Sequence, residues 1–187
     1  MKSNIIKSIR LILVLIMVLC VIYPLMITLA GKLSRGAGNG ETIMVKGRVV
    51  GYANVGQSFN KPQYFWGRPS ATGYNAAGSA GSNKGPSNPD YLKDVASRVD
   101  TLLKYHTYLK KSDIPAEMVT ASGSGLDPDI SPEAARMQIK RVALYRRLDE
   151  GKVSALVAGH TEKPLFGLFG PAKVNVLKLN VALDQLK

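Results

Sequence analysis

Residues 11–30 of the chain, LILVLIMVLCVIYPLMITLA, decide its architecture, because this stretch contains no charged side chain. A helix of about 20 residues is about 30 Å long, which matches the hydrocarbon core of a bilayer. Thirteen of these residues are Leu, Ile or Val, and each favours insertion by about 0.3 to 0.6 kcal/mol near the centre of a helix. The stretch therefore predicts a transmembrane helix, with a kink after Tyr23 because Pro24 cannot donate a backbone hydrogen bond.

A cleaved signal peptide is the competing interpretation of this stretch, because basic residues precede it. The apolar core exceeds the usual length of about 7 to 15 residues, and Thr28, Leu29 and Ala30 match a small-x-small cleavage site poorly. The helix is therefore predicted to remain as an anchor. Three basic residues precede it and two follow closely, so residues 1–10 are predicted to be cytoplasmic and the rest of the chain extracytoplasmic.

The remainder of the chain carries an excess of positive charge. Three glycines among residues 36–40 predict that residues 31–42 form a flexible linker. Residues 43–187 are predicted to fold as one accessory domain. Twenty-two basic and 13 acidic residues follow the apolar stretch, which gives a net charge of +9. Beside a membrane, this charge favours anionic headgroups or an acidic protein surface as partners and argues against nucleic acid.

Hydrophobic periodicity predicts an α+β domain that mixes helices with short strands. Residues 43–51 indicate a short strand interrupted by glycine, and residues 91–109 a helix. A second helix is predicted to begin after the N-cap Ser131. Its predicted buried residues are Ala135, Ile139, Val142 and Tyr145. Its predicted solvated basic residues are Arg136, Lys140, Arg141, Arg146 and Arg147. A strand at residues 174–178 and a helix at 179–186 are predicted to close the chain.

Residue types that bind metals or catalyse reactions are scarce. One cysteine and two histidines argue against a disulfide framework and a metal centre. His160 is expected to be structural and His106 to lie at the surface. The SGSG run at residues 122–125 lacks the glycine that a nucleophile elbow needs two residues before its serine. This loop leads towards a helix N-terminus that can hold phosphate or carboxylate, or its glycines only permit tight turns.

Several longer motifs together resemble one family. They are YFWGRPSA at residues 64–71, SAGSNKGPSNP at 79–89, VTASGSGLDP at 119–128, ISPEAA at 130–135 and VNVL at 174–177. With the single N-terminal apolar helix, they resemble the C subunit of the bacterial high-affinity potassium-transporting P-type ATPase complex over nearly the whole chain. Ala80, Lys84 and Asp129 differ from the residues that the family more often has, and none of them breaks a motif.

The resemblance implies a non-catalytic accessory subunit of the bacterial plasma membrane. Its implied partners are a channel-like subunit that selects potassium and a pump subunit that hydrolyses ATP, besides the bilayer around its helix. The family is described as a catalytic chaperone that raises the ATP affinity of the pump subunit, so ATP is the cofactor that the resemblance suggests. The alternative is an anchored envelope protein whose basic domain binds anionic lipid or polymer.

The resemblance also assigns roles to residues of this chain. Those that it associates with ATP are Ser122, Gly123, Ser124, Gly125 and Gln138. The residues expected to contact partner subunits are Tyr64, Phe65, Gly67, Arg68, Pro69, Ser70, Asn83, Gly85, Pro86, Asn88, Asp127 and Arg141. Separately, Asp127, Asp129 and Glu133 lie close in sequence, and we expect them to line a path for potassium. No catalytic residue and no metal ligand is expected.

Overall fold

A computed structural model describes residues 2–186 of the chain. The chain divides into two compact units, Met1–Thr42 and Ile43–Lys187. Helices and two small sheets make up the second unit, which confirms the predicted α+β class.

The N-terminal unit is a long apolar helix in three segments. Helix α1 (Lys2–Ile16) continues into a π-helical turn (Met17–Ile22) and then into α2 (Tyr23–Gly31). By length and composition, Ser3–Gly31 is a candidate membrane span. The irregularity predicted after Tyr23 lies before it, because a proline ring clashes with the carbonyl four residues earlier and a π turn relieves such a clash.

The second unit begins with a two-stranded sheet. Strands β1 (Thr42–Val45) and β2 (Arg48–Tyr52) pair with each other. Lys46 and Gly47 between them both have positive φ, 49° and 78°, as the twist of a two-residue hairpin turn requires. The prediction of one strand interrupted by glycine was therefore wrong, since Gly47 turns the chain back on itself.

The main body contains four helices and a three-stranded antiparallel sheet. The strands are β3 (Asp129–Ile130), β4 (Thr161–Glu162) and β5 (Lys173–Asn175), in the order β3-β5-β4. Val174 of the central strand pairs with Ile130 on one side and with Thr161 on the other. The helices are α3 (Pro89–Tyr105), α4 (Pro132–Arg146), α5 (Glu150–Gly159) and α6 (Val176–Gln185). Two 3₁₀ turns, Lys111–Asp113 and Ala116–Met118, follow α3.

Side-chain caps determine where the helices begin. Ser131 Oγ accepts a hydrogen bond from the Ala134 N–H at 3.0 Å, which confirms the predicted start of α4. Asn175 Oδ1 accepts from the Lys178 N–H at 3.0 Å and starts α6 at Val176. The last helix thus begins three residues before its predicted start, because an asparagine at the end of a strand caps the next turn.

The core lies between the sheet and the inner faces of the helices. Its fully buried members include Phe65, Ile130, Val142, Val174, Leu179 and Leu183. Tyr145, predicted to be buried, is 49% exposed. At about 100° per residue it lies only about 20° from the fully buried Gln138 around the axis of α4, so it is on the buried face, but it stands in the last turn of the helix, which ends at Arg146. Helix α3 ends at Tyr105, four residues before its predicted end, and His106 terminates it.

Candidate functional site

A buried arginine organises the centre of the second unit. Arg141 of α4 is only 1% exposed, so its prediction as part of a solvated basic face was wrong. Its Nε donates to His106 Nε2 at 2.9 Å, and its Nη2 donates to Gln138 Oε1 at 2.6 Å. Its Nη1 donates to the carbonyl oxygens of Pro62 and, at 3.0 Å, Tyr64. These partners are all neutral, so the guanidinium acts as a donor of hydrogen bonds and not as half of an ion pair.

His106 is the acceptor that completes this cluster, and it is fully buried, contrary to the prediction that it lies at the surface. Because its Nε2 accepts from Arg141, its Nδ1 is assigned the proton that bonds to the Leu102 carbonyl oxygen at 2.8 Å. Burial, together with the charge of Arg141, lowers the pKa of His106 to about 4. Burial also lowers the pKa of Arg141 to about 10. At neutral pH the arginine is therefore charged and the histidine is neutral.

The buried cluster holds residues 62–66, a turn followed by chain without regular structure, by bonding to its backbone groups. Gln138 Oε1 accepts from the Trp66 N–H at 2.8 Å, and Gln138 Nε2 donates to the Trp66 carbonyl at 3.1 Å. Asn180 of α6 makes the same pair of bonds with Phe65, at 2.8 and 2.9 Å. The guanidinium of Arg141 lies 4.2 Å from the centre of the Trp66 ring. Side chains of two helices thus satisfy the backbone that a sheet would otherwise satisfy.

Beyond Trp66, three loops meet in what we call the polar loop surface, residues 67–75, 79–82 and 122–127. Ser70 Oγ donates to the Gly125 carbonyl at 2.6 Å and accepts from the Tyr74 N–H at 2.8 Å. The Ser122 N–H donates to the Pro69 carbonyl at 3.1 Å. Ser79 Oγ donates to the Ser124 carbonyl at 2.9 Å. The loops are therefore cross-linked by hydrogen bonds in place of a strand ladder.

Gly125 is the tightest point of this surface. Its φ is +69°, and a Cβ there would lie 2.7 Å from Thr72 Oγ1 and 2.8 Å from the Ala80 carbonyl oxygen. Its N–H donates to Ser122 Oγ at 2.9 Å. A Cβ on Gly123, two residues earlier, would meet nothing within 4 Å. Glycine is thus required by packing at position 125, whereas position 123 faces open space.

An arginine and a cavity mark the edge of the polar loop surface. Arg68 Nη1 lies 3.0 Å from Asp127 Oδ2, and both side chains are about a quarter exposed. Burial, and secondarily the charge of Asp127, raises the pKa of Tyr74, whose hydroxyl donates to the Arg68 carbonyl oxygen. Arg68 Nε is buried and has no hydrogen-bond partner among the described residues. A cavity of about 540 Å³ opens here, lined by Trp66, Arg68, Tyr74, Arg98 and Tyr105 among others.

The structure divides the residues that the resemblance associates with ATP. Ser122, Gly123, Ser124 and Gly125 belong to the polar loop surface, where Ser122 is 3% exposed. Gln138 is fully buried in the arginine cluster, and its amide bonds to Trp66, Ala134 and Arg141. Gln138 therefore does not present its amide to a ligand in this conformation, and the ATP assignment stays a prediction.

The residues expected to contact partners also fall into distinct places. Gly67, Arg68, Pro69, Ser70 and Asp127 belong to the polar loop surface. Phe65 and Arg141 are buried, so any effect of theirs on a partner passes through the shape of the chain around them. Tyr64 donates its hydroxyl hydrogen to Asp184 at 3.2 Å. Asn83, Gly85, Pro86 and Asn88 lead into α3, and Asn88 Oδ1 caps it by accepting from the N–H groups of Asp90 and Tyr91.

The three acidic residues expected along a potassium path do not form a cluster of free carboxylates. Asp127 pairs with Arg68, and Asp129 Oδ2 lies 2.7 Å from Lys173 Nζ. The hydrogen bond to Asp129 raises the pKa of Lys173. Glu133 is exposed in the first turn of α4. Within the described residues, no group of three or more His, Cys, Asp or Glu side chains is placed to hold a metal ion.

The sequence did not predict the buried hydrogen-bonding roles of Asn180 and His106, although Asn180 leaves a signal in it. Asn180 interrupts the apolar residues Val176, Leu179 and Leu183 on the buried face of α6. A buried amide on such a face must find hydrogen-bond partners, so it indicates a backbone segment to be held. His106 leaves no comparable signal, because its burial depends on Arg141, which lies 35 residues away in the chain.

Fold and site together define a class of protein. It is a small α+β domain that follows one candidate membrane helix and carries a polar loop surface stiffened by its own hydrogen bonds. A buried arginine and two buried amides hold the segment that leads into this surface.

Comparison with known proteins identifies the family. The model of the family "K+-transporting ATPase, c chain", KdpC, matches residues 5–185. A potassium-transporting ATPase KdpC subunit of Flavobacterium johnsoniae is 59% identical over 185 residues, which cover 99% of this chain and 100% of the relative. The KdpC subunits of Bacteroides fragilis (53% over 188 residues, 99% and 98% covered) and Paraburkholderia xenovorans (48% over 169 residues, 88% of each) are also similar. The chain therefore belongs to the KdpC family, as its motifs indicated.

Proposed function

We propose that this chain is the non-catalytic KdpC-type subunit of a potassium-transporting ATPase complex. The observation that carries the proposal is the family match over residues 5–185, with a relative of that name that aligns over its whole length. The proposed partners are a channel-like subunit that selects potassium and a pump subunit that hydrolyses ATP. We place the chain in the bacterial plasma membrane, with residues 1–10 in the cytoplasm and the domain outside, because more positive charge precedes the apolar helix than follows it closely.

The polar loop surface is the proposed contact with the partner subunits. Its loops are already joined by bonds such as Ser70 to Gly125 and Ser79 to Ser124, so little conformational entropy is lost on docking. The Arg68–Asp127 pair offers opposite charges at its edge for recognition of a polar partner surface. The buried Arg141 cluster supports this surface from behind by holding the segment that precedes it.

The test is ATPase activity of the reconstituted complex across a potassium titration, with and without this chain. We expect activity to be lost or to need more potassium when the chain is omitted, and unchanged activity contradicts the proposal. The double variant Arg68→Gln, Asp127→Asn removes both charges of the surface and should weaken co-purification with the partner subunits. Lys93→Gln is the matched control, because Lys93 is 81% exposed on α3 and makes only a long 3.9 Å ion pair.

A nucleotide effect is the finer part of the proposal. Following the family description, residues 122–125 would raise the ATP affinity of the pump subunit, and with the domain outside the cytoplasm they would do so indirectly, through contact with the partner subunits. Gly123→Ala adds a methyl group into open space, so it leaves the loop intact and changes the surface that the loop presents to the partner subunits. We expect this variant to raise the ATP concentration needed for half-maximal activity while the complex still assembles. An unchanged ATP dependence contradicts the nucleotide role and leaves the accessory role standing.

The proposed orientation has its own test. Trypsin added to right-side-out cells should cleave after Arg35, between the apolar helix and the domain, and release a domain-sized fragment. Complete protection, with cleavage only after the cells are opened, places the domain in the cytoplasm. In that case the nucleotide role becomes direct, because ATP is then on the same side as residues 122–125.

An anchored module that binds anionic lipid or polymer is the second candidate, because residues 43–187 contain 20 basic and 12 acidic residues. Co-purification separates the two functions. The first predicts a stoichiometric complex with the other subunits of the ATPase, and the second predicts a chain that is recovered alone.

A further inference from the structure

The connection between β4 and β5 contains a small loop that exposes four large apolar side chains. Leu165, Phe166, Leu168 and Phe169 are 63%, 83%, 82% and 65% exposed. We call residues 165–169 the apolar tip. Apolar side chains scattered singly over a surface are normal, but a contiguous apolar patch marks a site of interaction. Something other than water is therefore expected to cover the tip.

The backbone of the apolar tip is closed on itself. Leu165 and Phe169 exchange two hydrogen bonds, each with an N to O distance of 3.0 Å. The N–H groups of Gly167 and Leu168 donate to carbonyl oxygens of the same turn, at 2.9 and 3.1 Å. The φ angles of Phe166 and Gly167, 55° and 74°, make the tight turn possible. Four of the five backbone N–H groups of the tip thus bond within the turn, which lowers the free-energy cost of moving it out of water.

A bilayer is within reach of the tip because the chain carries its own candidate membrane helix. That helix ends at Gly31 and β1 begins at Thr42, so at most about 35 Å of extended chain separates the domain from the membrane. A domain of this length has a radius of gyration of about 15 Å. The connection is therefore long enough for a face of the domain to reach the headgroups.

Chemistry distinguishes a lipid surface from a protein pocket as the partner of the tip. The tip contains no polar side chain with which a protein partner would be selected, and Lys163 is exposed beside it. The tip has leucine and phenylalanine at the end of a loop and lysine at its base, and residues 43–187 carry a net charge of +8. This combination is typical of segments that enter the membrane interface. We propose that the apolar tip inserts into the boundary between headgroups and acyl chains of the bilayer that holds the helix.

The experiment uses the full chain in vesicles of phosphatidylethanolamine and phosphatidylglycerol. Cys20→Ala removes the one native cysteine, and Phe166→Cys then carries an environment-sensitive fluorophore at the tip. Leu144→Cys is the matched control, because Leu144 is also strongly exposed, at 73%, but lies on α4. Both replaced side chains are mostly in solvent, so neither change is expected to unfold the domain. Circular dichroism of both labelled chains checks this.

The two labels should report different surroundings. We expect lipids with a nitroxide near the headgroup to quench the label at 166 at least about threefold more than the label at 144, and aqueous iodide to quench it about threefold less. Equal iodide quenching at the two positions overturns the proposal. The proposal is also overturned if, in the complex with partner subunits, the label at 166 is shielded from iodide but is not quenched by nitroxide lipids, because a protein then covers the tip. Replacing phosphatidylglycerol by phosphatidylcholine should reduce the lipid quenching, because it removes the anionic headgroups that attract Lys163 and the basic domain.

Discussion

Replacing Arg141 by methionine removes the donor on which the 62–66 segment depends. Methionine fills a similar volume but donates no hydrogen bond, so four side-chain hydrogen bonds and the contact with the Trp66 ring are lost together. Arg136 lies on the same helix and is exposed. Arg136→Met is therefore a control that makes the same chemical change without breaking the buried cluster.

The magnitude follows from the acceptors that the substitution leaves behind. His106 Nε2 and the carbonyl oxygens of Pro62 and Tyr64 lose this donor, while Gln138 Oε1 keeps the Trp66 N–H. A buried acceptor without its donor costs about 1 to 3 kcal/mol. Removing the desolvated guanidinium offsets part of that cost. We expect the free energy of unfolding to fall by about 3 kcal/mol, which lowers the melting temperature by about 6 to 12 °C at this domain size.

The assay follows Trp66, which is the one tryptophan of the chain and reports on the segment directly. Thermal and urea unfolding of the full chain in detergent are measured by its fluorescence. Arg136→Met should change the free energy of unfolding by less than about 0.5 kcal/mol. If Arg141→Met melts within about 2 °C of the unmodified chain, the buried arginine does not hold the segment.

Three further outcomes are expected. Because the pKa of His106 is about 4 in the folded domain and 6.5 ordinarily, the unfolded chain binds the proton first as the pH falls. The contribution of His106 to the free energy of unfolding is therefore full above about pH 6.5 and falls by on the order of 2 kcal/mol towards pH 4.5. Urea titrations across this range measure the loss, and His106→Gln should remove this pH dependence. A free energy of unfolding that stays constant with pH contradicts the prediction. Gly125→Ala should lower the free energy of unfolding by about 2 kcal/mol, and Gly123→Ala should leave it nearly unchanged. Thermal unfolding measures both variants, and equal shifts of their melting temperatures exclude the packing role of position 125. Asn180→Leu strips both backbone partners from Phe65 and should cost about 2 to 4 kcal/mol in urea unfolding; a cost below about 0.5 kcal/mol shows that this amide is not needed.

Local signals predicted the elements that depend on a few neighbouring residues. The uncharged stretch at residues 11–30 predicted the apolar helix, and Ser131 followed by Pro132 predicted the start of α4. Both follow from the properties of short segments, because hydropathy and capping act within one or a few turns of helix.

Predictions failed where a local pattern allows two conformations. Alternation at residues 43–51 suits one strand or a hairpin, and the left-handed φ of Lys46 and Gly47 decides for the hairpin. Alternation at residues 174–178 suits a strand, but Asn175 caps a helix there. In both cases one or two residues with special backbone or capping chemistry outweigh the period of the side chains.

The amino-acid sequence alone determined the apolar helix, the basic charge, the α+β class and the family, because these depend on composition, short-range periodicity and contiguous motifs. Only the tertiary structure decided that Arg141 is buried among neutral acceptors, that Gln138 faces inward and that the glycine at 125 closes a contact between three loops. Those roles depend on partners tens of residues away in the chain, and whether a polar side chain is solvated or buried is decided by the groups that the fold brings to it.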